Sequence, residues 1–318
     1  MSDQLTLEIP ESVTTHFVVA TGLSTRLSPG DIRDLLGDAG RRGAEAASLA
    51  RTACELLDSP LVLVAGKRAG DSDWTARLEG VAGAEEDLRR LRWAEHHLVL
   101  TSVAPPAAQP RHAQAVRFMA RVLAEHTGGL VADLAAGQTL SAGEVPAGET
   151  ERFVLADDWT AAFVGRDDEP EARVPEQEVR IRIDTTGLAR FGIPDLVARH
   201  VPGDRMITSI NLLRALAYRL LAGHWNWLAD HPGHRARTID VEQHVDIRDL
   251  WRFWGARPVG DGGLWVRLAW GRPDCPDCPD VLEVAPPEGR DPGDWWDGVP
   301  EVIPSLARVL EDPEPRRS

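Results

Sequence analysis

The alternation of apolar and polar positions divides this chain into short strands and longer helices. His16-Phe17-Val18-Val19-Ala20 reads as a strand, after which Pro29-Gly30-Asp31 opens a helical stretch interrupted by Gly37, Gly40 and Gly43. Over residues 44–57 apolar side chains recur at Ala46, Leu49, Ala50, Ala53, Leu56 and Leu57, a helical stripe that Ser59-Pro60 stops before a buried strand at 61–65. A charged helical segment at 81–93 leads into an apolar strand at 97–103. Ala113, Val116, Met119, Ala120 and Leu123 then keep a 3.6-residue period, and Gly128-Gly129 supplies a left-handed helix end before a strand at 130–132. Residues 153–155 and 161–164 read as a hairpin around Asp157-Asp158-Trp159, where the aspartates suit a turn better than a metal.

In the second half, Val179, Ile181 and Ile183 alternate with charged residues, as in a strand with one exposed face. A loop at 185–204 follows. Ile210, Leu213, Leu216, Ala217, Leu220, Leu221, His224 and Leu228 then form the buried stripe of a long amphipathic helix that ends before Pro232-Gly233. A short helix at 246–254 and strands at 264–268 and 281–284 complete the pattern. These elements predict an α+β fold, with two lobes of mixed or antiparallel sheet packed with long amphipathic helices. The expected boundaries are an N-terminal lobe at 1–165, an acidic linker at 166–178 and a Trp-rich C-terminal lobe at 179–318. A strand, a proline-bearing loop and a helix recur in order at 97–132 and 179–221, which hints at an internal duplication.

Two segments carry a resemblance. Gly128-Gly129-Leu130-Val131-Ala132-Asp133 and Thr185-Thr186-Gly187-Leu188-Ala189-Arg190-Phe191-Gly192-Ile193-Pro194-Asp195-Leu196 resemble uncharacterised bacterial α+β proteins of unknown function. The resemblance implies a fold; no catalytic residue comes with it.

Composition narrows the function classes. The 318 residues are 43% hydrophobic and 27% charged, as in ordinary globular proteins, which disfavours wholesale disorder, a collagen-like chain or a coiled-coil rod. The net charge of −15 is spread over both halves, −6 for residues 1–150 and −9 for the rest, so nucleic-acid and anionic-membrane binding are not expected. The N-terminal residues lack the basic and apolar regions of a signal peptide, and no apolar run is long enough to span a bilayer, so a cytoplasmic location is expected. Three cysteines in such a chain predict reduced thiols.

Familiar catalytic signatures are missing. Lys67, the only lysine, is preceded by no phosphate-cradling glycine loop and followed by Arg68, so it reads as a solvated residue at a strand end. No GxSxG, GxGxxG after a strand, HExxH or kinase motif set occurs. Cys54 falls on an apolar helix stripe and reads as a small buried hydrophobe; His126 suits the negative end of its helix dipole.

Two constellations remain. His231-Pro232-Gly233-His234 and Cys275-Pro276-Asp277-Cys278 together offer four ligands with the two-residue spacers that bite one zinc ion tetrahedrally. Four protein ligands would saturate the ion, making it structural. The alternative is a helix end and two thiols in a proline-rich loop, and the aspartates around Cys275 and Cys278 argue against thioredoxin-like redox chemistry. Tryptophan is concentrated late in the chain, eight of eleven falling between Trp225 and Trp296. Large aromatics can fill a core, which suits Trp251, Trp254 and Trp265, whereas Trp295-Trp296 lies in a Pro/Gly-rich acidic stretch that suits docking. The expected function is a non-catalytic binding or protein-interaction protein, with Trp295 and Trp296 on an acidic recognition face and a protein as partner. The competing class is an enzyme with an unrecognised active site, carrying a structural zinc at His231, His234, Cys275 and Cys278.

Overall fold

The computed structural model describes residues 3–24, 27–140, 149–167, 179–272 and 279–305. The chain is α+β, as its periodicity predicts, and its described residues divide by contact into two compact units. One comprises residues 10–153 with 190–192; the other comprises 3–9, 154–189 and 193–305. These differ from the lobes outlined by composition. The first strand, β1 (Gln4–Glu8), goes with the C-terminal unit, and that unit begins at Val154 rather than after the acidic stretch.

The unit built on 10–153 runs through β2 (Val13–Thr21), α1 (Pro29–Gly40), α2 (Ala44–Leu57), β3 (Val62–Arg68), the single turn α3 (Thr75–Leu78), α4 (Glu85–Arg92), β4 (His96–Ala104), α5 (Arg111–Thr127), β5 (Leu130–Asp133) and β6 (Gln138–Leu140). Its sheet has the order β3-β4-β2-β5-β6 with every neighbour antiparallel. With α3 and α4 set aside as an insertion between β3 and β4, the path from β2 to β5 is β-α-β-β-α-β, the split β-α-β arrangement of ferredoxin-like folds, with β6 added at one edge. Local chemistry sets its helix ends. Ser28 and Asp31 form a reciprocal capping box with Pro29 in the first turn of α1, and Gly128 ends α5 at φ 61, a conformation open to glycine without strain.

Burial explains the apolar run of β2. Val18 and Ala20 share a cluster with Val99, Leu130 and Ala132 from neighbouring strands and Leu78, Val81 and Leu91 from the α3–α4 side. Phe17 and Val19 point to the other face and are also fully buried, so the strand is covered on both sides. Along α5 a second, polar stripe holds the chain as it returns: the Gln114 amide donates to the carbonyls of Thr150 and Glu151, and Arg117 meets Glu149.

The C-terminal unit contains β7 (Ala161–Arg166), β8 (Arg180–Thr186), β9 (Leu196–Pro202), α6 (Met206–Asp230), β10 (Ala236–Asp240), β11 (Glu242–Asp246), α7 (Ile247–Phe253), β12 (Gly263–Gly271), β13 (Val281–Ala285) and α8 (Pro292–Val302). Two antiparallel three-strand meanders, β7-β8-β9 and β11-β12-β13, join through the parallel pair β9–β13 into one six-stranded sheet. A separate ribbon pairs β1 with β10. The strand–loop–helix order noted at 97–132 and 179–221 thus leads into sheets with different strand orders.

Three sequence expectations are corrected. Residues 153–155 form no hairpin with 161–164; β7 pairs instead with β8, Ala161 opposite Thr186, which offers a longer alternating ladder. The intervening turn exposes Asp157 and Asp158 but sinks Trp159 into the core, and Gly187 sits at φ 105 where a Cβ would lie 2.3 Å from the Trp159 carbonyl oxygen. The stretch 185–204 is not all loop, because Leu196–Pro202 forms β9 between β8 and β13. The Pro/Gly-rich acidic stretch around Trp295-Trp296 is not irregular but forms α8, with Pro292 in its first turn and the Asp291 side chain accepting the backbone N–H of Asp294.

In the helix α6, His224 is a costly group. His224 is fully buried, neither ring nitrogen has a hydrogen-bond partner, and burial, with the nearby Arg237 charge, lowers its pKa to about 4. The unfolded chain therefore takes up this proton near pH 6.5 and the folded chain only near pH 4. Stability should fall by about 3 kcal/mol as pH drops through that window and change no further from this group below it. His224→Leu should remove this acid limb and raise stability at pH 7, since no unpaired polar atom then remains; urea denaturation at pH 7, 5 and 4 checks both. A limb that persists in the variant would assign the acid loss elsewhere. Asp246 titrates lower, held to about 2 chiefly by hydrogen bonding from Arg248, so its stabilisation is lost only as pH falls from about 3.8 towards 2.

Candidate acidic tryptophan groove

In the C-terminal unit, β12 and α8 border a groove of about 830 Å³. The periodicity of β12 makes one wall. Val266 and Leu268 face the core, which turns Trp265 and Arg267 to the opposite side of the strand and leaves Trp265 52% exposed. His244, directly across on β11, approaches the Trp265 ring edge-on at 5.1 Å. The second wall is the first turns of α8. Trp296 and Val299 point inward, Trp296 being only 3% exposed, while Trp295 is half-buried and lines the groove. The Trp295 indole N–H donates to the Trp265 carbonyl at 3.2 Å, fixing helix against strand without using the Trp265 side chain.

Charge gives the groove its character. Among the described residues, Glu242, Glu288, Asp291 and Asp294 line it with a single cation, Arg290. Arg267 pairs with Glu288 at 2.9 Å, and Asp291 accepts the backbone N–H of Asp294. An exposed indole beside several carboxylates can hold a cation over an aromatic face while anionic oxygens take its hydrogen bonds.

The sequence-derived site residues separate accordingly. Trp295 contributes to the groove. Trp296 does not, because a helix turn places it against the core. Trp265, read from sequence as core filler, is the exposed ring, and the alternation of β12 carried that signal. His231 and His234 lie at the end of α6: His231 stacks on Trp227 and its Nδ1 is 2.9 Å from the Trp227 carbonyl oxygen, with the His234 ring 5.5 Å away edge-on. Cys275 and Cys278 lie outside the described residues. Among the described residues no group of three or more His, Cys, Asp or Glu could hold a metal ion.

The other singled-out side chains have structural settings. Lys67 pairs with Asp73 at 3.0 Å at the end of β3, and burial raises the Cys54 thiol above its usual range, away from nucleophilic use. Among the described residues no helix is long and apolar enough to cross a membrane. Compared with family models, curated proteins and solved structures, the chain has no match in any of the three.

Proposed function

We propose that this is a non-catalytic binding protein whose C-terminal unit holds a cationic segment of a protein partner in the groove between β12 and α8. The observation that carries this reading is the half-exposed Trp265 set beside Glu242, Glu288, Asp291 and Asp294. A large indole left in water on a sheet face contributes nothing to the core, whereas under an arginine or lysine head it contributes about 0.5–2 kcal/mol. Nearby carboxylates speed the encounter and select positive charge.

A tetra-arginine peptide titrated into the full chain should bind with an affinity that falls as salt rises, because exposed charges are screened. Trp265→Ala should weaken it about tenfold, a loss that general attraction to an acidic protein would not show. The ring lies outside the core, so the fold should survive; circular dichroism checks that. Glu242→Gln with Asp294→Asn should weaken binding further and flatten the salt dependence. Equal affinity in native protein and Trp265→Ala would remove the basis of this reading.

A further inference from the structure

The unit built on 10–153 contains a separate cavity of about 350 Å³ on the α3–α4 side of its sheet. Leu78, Val81, Leu88, Leu91 and Ala94 give it a mostly apolar wall. His97, only 1% exposed, is also in that wall. Its pairing opposite Ala20 places it on the same sheet face as Val18 and Val99, the face that packs against Leu78 and Leu91.

The His97 side chain makes no hydrogen bond, and its Nδ1 is wholly shielded from solvent. A buried polar group left so costs about 1–3 kcal/mol, and such a group beside an open apolar space is what a ligand's polar atom would satisfy. The other polar groups of the wall are engaged or lie outside. The Thr75 hydroxyl donates to the Ala69 carbonyl, Arg92 donates through Nε to the Leu88 carbonyl, and Glu79 is exposed beside them. Burial, helped by the neighbouring His96, lowers the His97 pKa, so its ring is neutral at pH 7.

We propose that this cavity binds a small neutral molecule, with an apolar body of about ten heavy atoms and one hydroxyl that hydrogen-bonds His97. A hydroxyl both donates and accepts, so it serves either tautomer of a neutral imidazole, and the soft, two-fold χ2 torsion lets either ring nitrogen turn towards it. A carboxylate is disfavoured here, since no cation in the wall is buried. The cations of this region, Lys67 and Arg68, line an adjoining cavity of about 380 Å³ that His96 and His97 also border, and neither is in the apolar wall. The site is independent of the acidic groove and stands or falls apart from it.

Three probes of one shape test the assignment: 4-propylphenol, propylbenzene and 4-propylbenzoate, each titrated into the full chain by calorimetry. A ten-atom ligand at ordinary efficiency reaches a Kd of about 1 mM or below. The phenol should bind in that range, propylbenzene about fivefold more weakly or worse, and the benzoate no better than propylbenzene. Ala94→Phe, which fills the cavity, should abolish phenol binding, and Leu88→Trp serves the same purpose if that variant is unfolded. His97→Phe should make the phenol and propylbenzene equal. Absence of phenol binding, equal affinities in the native protein, a tighter benzoate, or binding that survives a folded cavity-filling variant would each overturn the proposal.

Discussion

Asp133→Asn should destabilise the 10–153 unit by about 3–5 kcal/mol, a larger loss than most single surface changes can cause. Asp133 and Arg190 form an ion pair with both side chains 0% exposed, Arg190 Nη2 lying 2.6 Å from Asp133 Oδ1. The same oxygen accepts the backbone N–H groups of Ala135 and Ala136, so the carboxylate ends β5 and neutralises the guanidinium together. Asparagine retains an oxygen for those two N–H groups and removes only the charge, which leaves Arg190 buried with its positive charge uncompensated. The Phe17 ring, 5.8 Å from the guanidinium, offers too weak an attraction to replace a carboxylate. Hydrogen exchange over β2 and β5 measures the effect where it arises, as a fall in protection of about 100-fold or more. Combining Asp133→Leu with Arg190→Met should recover most of the loss, because no charge is then left in the interior. A single variant losing less than about 1 kcal/mol would mean that solvent reaches the pair.

Glu149→Gln should have a comparable cost, with a different footprint. Arg117 meets Glu149 through two parallel 2.6 Å hydrogen bonds, Nε to Oε2 and Nη2 to Oε1, and each side chain is 2% exposed. Arg121 adds a second positive charge 3.6 Å from Oε2. Glutamine can accept one of the two bonds but turns an amide N–H₂ towards the other donor, so two arginines are left facing a neutral group. The expected loss is about 3–5 kcal/mol. Because Gln114 and Arg111 also bind the 149–151 segment, protection should fall first along that segment and α5 while the α3–α4 side keeps more of its own. A uniform fall over the whole unit would instead show that the segment and the sheet open as one.

Both pairs bear on what the chain shows in one dimension. The segments 128–133 and 185–196 stand out in the sequence, and the structure joins them through Arg190 and Asp133. Local chemistry shapes the second: Asp195 accepts the Leu188 N–H, Thr185 accepts the Leu196 N–H, and Gly187 and Gly192 have positive φ. Such motifs are legible because their interactions span a few residues. The partner of Arg190, 57 positions away, is not. The groove was half legible in the same sense. Val266 and Leu268 alternate with Trp265, so its outward direction follows from period two, although tryptophan is on average a highly buried residue. For α8 the Asp291-Pro292 start was present, while Gly293, Gly298 and Pro300 lowered its helix propensity. Burial of Trp296 and Val299 outweighs that weak preference.

By itself the sequence determined the elements whose periodicity is strong, namely α2, α5, α6 and the cores of β2, β4 and β8, together with the acidic charge and the α+β class. Only the tertiary structure decided that β7 pairs with β8, that β9 lies beside β13, that Trp265 rather than Trp296 meets water, and that His97 borders a cavity. The physical reason is range. Helical stripes and caps are set by neighbours within a turn, whereas strand partners and the fate of a lone polar side chain depend on which distant apolar surfaces close over it.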